Sequence, residues 1–299
     1  MLTRRGFSLV ELLVALVLLA IVSTAVYRVL VNNQRLYVAQ TQQIDLQQNI
    51  RAAETILPAE FRELDASDGD IYAMSGTSLS IRAMRWLGFV CDAPALGLAL
   101  GGVGMTIRGG SPGQPLFYGS RAPDITKDSL LIYYDGNQTN LLDDGWAIAG
   151  PTATNAQNCT VGGAGRRFVA NLTLPPPTLP ALTSNFAGAI TVGAPVRGFE
   201  RVTYGLYRPA GDTSWYIGFQ PAGQAMQPLI GPVLSNGLSF TYFDSLGVVT
   251  AFPARVARID FVVRGRTAQA VNQGTGSSVR AARVDSVNVS VALRNNRRF

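Results

Sequence analysis

The chain opens with a long apolar stretch. Between Phe7 and Val26 the only polar side chains are those of Ser8, Glu11, Ser23 and Thr24. An α-helix of about 20 residues spans about 30 Å, which is the thickness of the hydrocarbon core of a bilayer. Two arginines directly precede the stretch, and cytoplasmic flanks of membrane helices are rich in arginine and lysine. The pattern therefore predicts a membrane-spanning helix with its N-terminus in the cytoplasm and the rest of the chain across the membrane.

Apolar residues continue at helical spacing further along the chain. They are four, three, four, four and three residues apart, at Leu46, Ile50, Ala53, Leu57, Phe61 and Leu64. This spacing is typical of an amphipathic helix with one apolar stripe. We expect the stripe to pack on the chain's own sheet; packing against another chain is the alternative. A single helix from Phe7 to about Leu64 would be about 87 Å long, and Pro58 should kink it near its end.

After the helix the pattern becomes that of strands, separated from it by turn residues from Asp65 to Asp70. Alternating, β-branched and aromatic runs predict strands at Ser78–Met84, Ser129–Tyr134, Arg201–Tyr207, Ser214–Phe219, Leu238–Phe243, Val248–Phe252, Val256–Val263 and Val284–Leu293. The third and fourth should form a hairpin, and the fifth and sixth another. The expected fold class is α+β: a long N-terminal helix packed on a large antiparallel β-sheet head.

Three segments lack such a pattern. Leu96–Gly113 is rich in glycine, and Pro175–Pro195 is rich in proline, so we expect both to be irregular insertions. Gln269–Ser278 is rich in Gly, Ser and Gln and should be a loop.

Composition argues against catalysis. The 299 residues include no histidine, which removes the commonest general base and metal ligand at neutral pH. No phosphate-binding loop, nucleophile elbow or zinc-ligand spacing occurs in the sequence. We therefore expect a structural protein, not an enzyme, and no cofactor. The net charge of +6 comes from scattered arginines, which favours a solvated surface, so we expect no nucleic-acid partner.

Two groups of residues allow more than one interpretation. Cys91 and Cys159 could form one disulfide or remain two separate buried thiols, and no histidine is present to build a metal site with them. The carboxylates of Asp65, Asp68 and Asp70 could chelate calcium. They also fit a solvated turn that ends the helix, which is the interpretation we prefer, so we expect no metal site.

Glu11 decides between interpretations of the N-terminus. A cleaved secretory signal, with Ser23-Thr24-Ala25 as the cleavage site, or a plain membrane anchor would leave this carboxylate unexplained. A charged side chain in a membrane helix costs up to about 2.5–3.5 kcal/mol on insertion scales. The segment from Gly6 to Leu13, Gly-Phe-Ser-Leu-Val-Glu-Leu-Leu, closely resembles the processing motif of type IV prepilins and type II secretion pseudopilins.

The resemblance implies roles for three residues. A membrane peptidase, the prepilin peptidase, would cut after Gly6, and Phe7 would become the methylated mature N-terminus. Glu11 would then occupy the fifth mature position, where the family keeps a glutamate. Its carboxylate could pair with the N-terminal amine of a neighbouring subunit, because two charges that are costly alone are tolerable together in an apolar core. Glu11 would thereby set the register of assembly.

The resemblance also implies a domain organisation. Residues 1–6 would be a cytoplasmic leader that is cleaved, 7–30 a transmembrane and filament-core helix, 31–64 its amphipathic continuation, and 65–299 an extracytoplasmic β-rich head. Looser matches at Asn49–Leu64, Arg201–Tyr207 and the Tyr-Phe-Asp-x-x-Gly turn of Tyr242–Gly247 are similar to the minor pilins called PilW and to minor pseudopilin J of type II secretion.

These similarities imply a minor type IV pilin that is a structural subunit, or an initiator or tip component, of a pilus. A minor pseudopilin of a type II secretion system is the alternative, and a membrane-anchored surface-binding module or adhesin is the alternative from another class. The implied partners are the prepilin peptidase, other major and minor pilins, and the inner membrane. The head would lie on the periplasmic or extracytoplasmic side before the subunit enters a filament.

Only a small residue should fit the peptidase site at the membrane face. Gly6→Val should therefore leave the six-residue leader attached, whereas mass spectrometry of the unmodified protein should find methylated Phe7 as the first residue. A mature chain that begins at Val26 would contradict this prediction and favour the secretory signal.

Overall fold

The computed structural model describes residues 8–98, 102–109, 117–135, 139, 144–173, 190–272 and 279–294. One α-helix, α1 (Leu9–Arg62), is followed by β1 (Ile71–Met74), β2 (Ser78–Leu98), β3 (Gly102–Arg108), β4 (Tyr118–Gly119), β5 (Ser129–Tyr134), β6 (Gly145–Asn158), β7 (Ala164–Thr173), β8 (Pro195–Tyr207), β9 (Trp215–Pro221), β10 (Gln227–Phe243), β11 (Arg258–Arg266), β12 (Val271–Asn272), β13 (Arg280–Ala281) and β14 (Val284–Ala292). A short 3-10 turn, Pro253–Arg255, precedes β11. The α+β fold class is confirmed.

The C-terminal half of α1 lies on the sheet through the predicted stripe. All six stripe residues are buried, and they form one core with β1, β2, β8, β9, β10, β11 and β14. Phe61 meets the rings of Tyr204, Phe240 and Phe261 edge-on, with centroids 5.7–6.0 Å apart. The prediction that the stripe packs on the chain's own sheet is confirmed. Pro58 is buried inside the helix and does not end it, because the helix continues to Arg62.

Strand β11 shows how the sheet packs against the helix. Its residues alternate between buried and partly exposed along the whole strand, with Ile259, Phe261 and Val263 on the helix side. Gly265 continues the buried side, and a Cβ atom there would lie 2.7 Å from Cδ1 of Leu46. The absence of a side chain therefore lets the helix approach the end of this strand.

A second part of the head is closed on itself. Strand β2 pairs with β3, followed in order by β7, β6, β5 and β8, and β8 pairs with β2 again. We call these six strands the ring. A separate apolar core fills it, in which Trp86, Phe117 and Phe168 pack with centroids 5.0–6.3 Å apart. Because closure pairs both edges of each strand, the ring presents no free strand edge along its paired residues.

A chain of ion pairs runs between the two cores. Arg85 of β2 donates from Nη1 to Glu60 of α1 at 2.9 Å and from Nε to Glu200 of β8 at 3.4 Å. Arg121 bridges Glu200, at 3.2 Å, to Asp128, and the Asp128 carboxylate also accepts the indole N–H of Trp86 at 2.9 Å. The network therefore connects the helix to the interior of the ring. Burial opposes the charge on Arg85, but Glu60 raises the pKa of its guanidinium above the ordinary value.

Most predicted strands are present. Ser78–Met84 lies within β2, Ser129–Tyr134 is β5, and the predicted hairpin is formed by β8 and β9 across Pro209–Asp212. The last two predicted strands correspond to β11 and β14, which pair antiparallel along nine residues each.

The second predicted hairpin is wrong. Val248–Phe252 is not a strand; it makes one isolated bridge, between Phe243 and Val249, and the strands that pair with β10 are β9 and β11. Three apolar side chains of this segment are exposed, so a strand here would bury no apolar face. Pro253, which follows, cannot donate a hydrogen bond to a ladder.

Two predicted irregular segments contain strands. Leu96–Gly113 holds the end of β2 and all of β3, and the loop Gln269–Ser278 holds β12, which pairs with β13. Strands β6 and β7 were not predicted from the sequence, because their alanines, glycines and asparagines give a weak strand signal. Residues 175–189 of the predicted Pro-rich insertion lie outside the described residues, and β8 begins at Pro195.

The packing of the stripe can be tested at Leu57 and Ile56, two adjacent residues of similar size that differ in burial. Leu57 is fully buried, whereas Ile56 is 39% exposed. Leu57→Ala should lower the free energy of unfolding by about 2–5 kcal/mol, since it removes buried methyl groups and leaves a cavity. Ile56→Ala should cost less than about 1 kcal/mol. Denaturant unfolding of the full chain in detergent measures both, and equal losses would contradict the observed helix orientation.

Candidate processing and assembly site

The N-terminal end of α1 is held by a reciprocal cap. Ser8 is the N-cap residue; its hydroxyl accepts the backbone N–H of Glu11 at 3.2 Å, and its own backbone N–H points to Oε2 of Glu11 at 3.5 Å. This arrangement is a capping box, which satisfies two backbone donors that a helix start otherwise leaves free. Gly6 and Phe7 lie outside the described residues, directly before this cap.

Glu11 therefore has a role within its own chain. Its carboxylate lies in the first turn of the helix, where the positive end of the helix dipole favours a negative charge. It is the only charged side chain between Ser8 and Tyr27. The cap offsets part of the cost of this charge and leaves the carboxylate exposed beside the start of the helix. An amine brought to this end of the helix by another chain would meet a positioned carboxylate.

The helix that follows is uncovered by the rest of the molecule. From Leu9 to Leu30 every side chain is exposed, and this part of α1 is long and apolar enough to cross a membrane. An exposed apolar surface of this length requires lipid or other apolar helices around it. The arrangement can therefore anchor the chain in a bilayer and pack with similar helices.

Comparison with protein families agrees with this geometry. The model of the prokaryotic N-terminal methylation motif matches residues 1–27. The match supports a type IV pilin-like protein. Neither curated proteins nor solved structures match the chain.

The matched motif covers the cap, Glu11 and most of the exposed apolar helix. Proteins with this motif are processed by the prepilin peptidase and assemble with other pilins. They are structural and not enzymatic. The pilin-like interpretation of residues 7–30 thus has support from the motif match and from the exposed helix, whereas the head is matched by no comparison.

The acidic residues after the helix hold a turn. Oδ1 of Asp65 accepts the backbone N–H groups of Ser67 and Asp68, at 3.0 and 3.2 Å. Asp70 accepts the N–H of Asp65 at 2.8 Å and faces the guanidinium of Arg82 at 3.4 Å. Burial raises the pKa of Asp70 to about 6, although the hydrogen bond from Asp65 and the charge of Arg82 both lower it. The carboxylates of Asp65 and Asp70 therefore stabilise the chain reversal between α1 and β1.

Cys91 and Cys159 are joined by a disulfide bond in the structure, with Cα atoms 5.7 Å apart. Cys91 belongs to β2, and Cys159 follows β6. Strands β3 and β7 lie between β2 and β6 in the ring, so the bond ties two strands that do not pair. Nearby, the backbone N–H of Thr160 donates to Asp92 at 2.9 Å. The bond and this contact fix the turn between β6 and β7 against β2.

Some residues of functional interest gave no signal in the sequence. The ion pairs of Glu60, Arg85 and Glu200 join positions far apart in the chain, so no local pattern could reveal them. An exposed apolar turn after β10 was interpreted as half of a hairpin, because its valines and phenylalanine are typical of strands.

The disulfide should form in the protein taken from an oxidising compartment. Peptide mapping without reductant should recover one peptide pair joined through Cys91 and Cys159. Reduction should then lower the free energy of unfolding by about 3–4 kcal/mol, since the bond closes a loop of 68 residues. The Cys91→Ser/Cys159→Ser double variant is the control, because reductant should not change its stability. Two free thiols in the periplasmic protein would contradict the prediction.

Proposed function

We propose that the chain is a minor type IV pilin, a structural subunit or an initiator or tip component of a pilus. In this proposal the prepilin peptidase removes residues 1–6, Phe7 becomes the methylated N-terminus, and residues 7–30 form the transmembrane and filament-core helix. Residues 31–64 continue the helix, and residues 65–299 form the head. The subunit is first anchored in the inner membrane with its head on the periplasmic side, and then enters the filament.

One observation carries the proposal. A membrane-length helix, uncovered by its own head, begins at a cap that holds a single carboxylate in its first turn. The capping box alone does not require a charge at this position, since a glutamine can complete it, whereas a helical bundle of subunits can pair the carboxylate of Glu11 with the amine of a processed neighbour. The large head and the looser similarity to PilW support a minor subunit, because major pilins are usually about half this length.

A minor pseudopilin of a type II secretion system is the second candidate, since pseudopilins carry the same N-terminal motif. The looser similarity to pseudopilin J, at the turn of Tyr242–Gly247 and in β8, favours it over an adhesin. Both candidates require the same processing and the same assembly through α1. Pilus assembly genes or secretion genes beside the coding sequence would separate them.

Glu11 and Ser8 allow the pairing of charges to be separated from the capping of the helix. Glu11→Gln keeps a side chain that can complete a capping box but removes the charge, and Glu11→Ala removes both. Ser8→Ala removes half of the cap and keeps the charge. We expect all three variants to insert into the membrane, to lose the leader and to fold.

Only the two Glu11 variants should assemble poorly. Their recovery with partner pilins in sheared filaments should fall more than about tenfold, because one charge of a buried pair left alone costs about 3–5 kcal/mol. Ser8→Ala should assemble nearly as the parent does. Loss in Ser8→Ala and Glu11→Ala with normal assembly of Glu11→Gln would assign the effect to capping, and full assembly of Glu11→Ala would show that Glu11 is not an assembly contact.

A further inference from the structure

Strand β14 forms one end of the sheet and has a free edge. It pairs with β11 through all nine of its residues, without a register shift, and with no other described strand. The other described strands that have a partner on one side only, β1, β4, β12 and β13, are two to four residues long. A long free edge offers a row of backbone N–H and C=O groups to another chain.

The register shows which backbone groups face the free edge. Beyond one end of the β11–β14 ladder, the N–H of Leu293 donates to Ala257 at 2.9 Å. Beyond the other end, the N–H of Thr267 donates to Arg283, also at 2.9 Å. Hydrogen-bonded and non-hydrogen-bonded pairs alternate in an antiparallel ladder. The even-numbered residues of β14 therefore direct their N–H and C=O groups away from β11.

Three of these N–H groups donate to no described residue: those of Asn288, Ser290 and Ala292. All three residues are exposed. The N–H of Ser286 donates to Oδ1 of Asp285 at 2.8 Å, so the open part of the edge begins after it. An extended segment of another chain could complete a ladder with these groups, and main-chain hydrogen bonds of this kind supply the affinity when a strand is added to a sheet.

The edge lacks the features that usually block pairing with another chain. Natural edge strands are shortened or bulged, or they carry lysine or proline. β14 contains neither lysine nor proline, and its one charged residue, Asp285, lies near its start. By contrast β1, at the other end of the sheet, is four residues long and contains a register shift. The difference indicates that the edge of β14 is used for pairing and that the edge of β1 is not.

The side of β14 that faces the helix is incompletely covered. Val291 is 2% exposed, but Val287 and Val289 are only half-buried, although they pack against the core beneath α1. Their partners in β11, Val263 and Phe261, are fully buried. A strand added beside β14 would cover the two valines with its own apolar side chains, because neighbouring strands bring side chains of the same face into contact.

The direction of β14 limits which strand can be added. Before the strand, Nη1 of Arg283 donates to Oε1 of Gln43 at 3.0 Å. After it, the N–H of Arg294 donates to the backbone oxygen of Arg62 at 2.9 Å. β14 therefore runs alongside α1 and in the same direction. Two copies anchored in one membrane have their α1 helices in the same direction, so their β14 strands cannot form an antiparallel pair with each other. This favours a strand from a different subunit.

We propose that the free edge of β14 pairs with an extended segment of a different pilin-like subunit, so that one sheet continues from head to head. The proposal rests on the proposed function, in which the partners are other pilins. A neighbour whose helix packs beside α1 on the side of β14 brings its head to this edge. Because no other long free edge occurs among the described strands, the contact joins two subunits and does not repeat along a filament. Such a contact suits a minor subunit of an initiator or tip complex.

Proline and alanine at the same two positions test the pairing. Asn288→Pro/Ser290→Pro removes two N–H groups that face the free edge and keeps the bonds to β11. Asn288→Ala/Ser290→Ala keeps both N–H groups and is the matched control, since both variants lose the bond from the Ser290 hydroxyl to Asp260 at 2.6 Å. The full chain is purified from detergent-solubilised membranes of the native host. The proline variant should recover at least fivefold less partner pilin, and the alanine variant should equal the parent.

Photo-cross-linking identifies the partner segment without the proline variant. p-Benzoylphenylalanine replaces Ser290 in one chain and Thr241 in the control chain. Both positions are exposed in one row of the same sheet face, with Asp260 between them, but Thr241 lies two strands away from β14. The adduct from position 290 should map by mass spectrometry to an extended segment of another subunit that carries the prepilin motif. Position 241 should give at least fivefold less of this adduct.

Failure of this inference and failure of the proposed function give different results. If the chain is processed and recovered with partner pilins, but position 290 cross-links to no pilin, to a second copy or to residues 295–299 of its own chain, the pairing proposal is overturned and the proposed function stands. Equal partner recovery with folded proline and alanine variants also overturns the pairing proposal. Thermal unfolding in detergent checks that both variants are folded, and the cross-link decides alone if the proline variant is not. If the chain is neither processed nor recovered with any pilin, both proposals are overturned.

Discussion

Contact between the apolar stripe of α1 and the antiparallel sheet is the interaction on which the rest of the structure depends. The stripe occupies one side of the last five turns of the helix and covers the buried faces of β10, β11 and β14. Phe61 lies at its centre against three aromatic rings. Most helical stability in proteins comes from packing of this kind. The packing fixes the direction of the helix relative to the head, and so it determines where the uncovered N-terminal part projects.

The ring adds to the head a second apolar core, separate from the core in which the stripe of α1 packs on the sheet. Strands β2 and β8 belong to both cores. One half of each strand contributes side chains to the core beneath the helix, and the other half contributes side chains to the core of the ring. The ion pairs of Arg85 with Glu60 and Glu200 lie where the two cores meet. Such partly buried charges are stabilising only with good partners, so they favour one orientation of the ring relative to α1. The disulfide adds a covalent tie at another side of the ring.

The two halves of α1 obey opposite requirements. The stripe half is buried by its own sheet, whereas the first half exposes almost every apolar side chain and must be covered from outside. A helix with this division can remain in a bilayer and can also pack with similar helices. The capped carboxylate of Glu11 adds specificity at the point where such helices would begin, because an unpaired charge penalises every arrangement that lacks a cation there.

The sequence by itself determined the features that depend on local pattern. The apolar stretch, the stripe and the motif around Gly6, Phe7 and Glu11 follow from the order of a few adjacent residues, because helix periodicity and peptidase recognition are local properties. The hairpin of β8 and β9 followed from strand signals on both sides of a turn.

Only the tertiary structure decided what depends on contacts between distant residues. The closure of the ring and the network around Arg85 join segments that are far apart in the chain. Strands β6 and β7 have weak intrinsic preference and form because their neighbours supply the ladder and the core. The exposed loop after β10 has the composition of a strand, and its conformation follows from the carboxylate of Asp244, which accepts the backbone N–H groups of Leu246 and Val248.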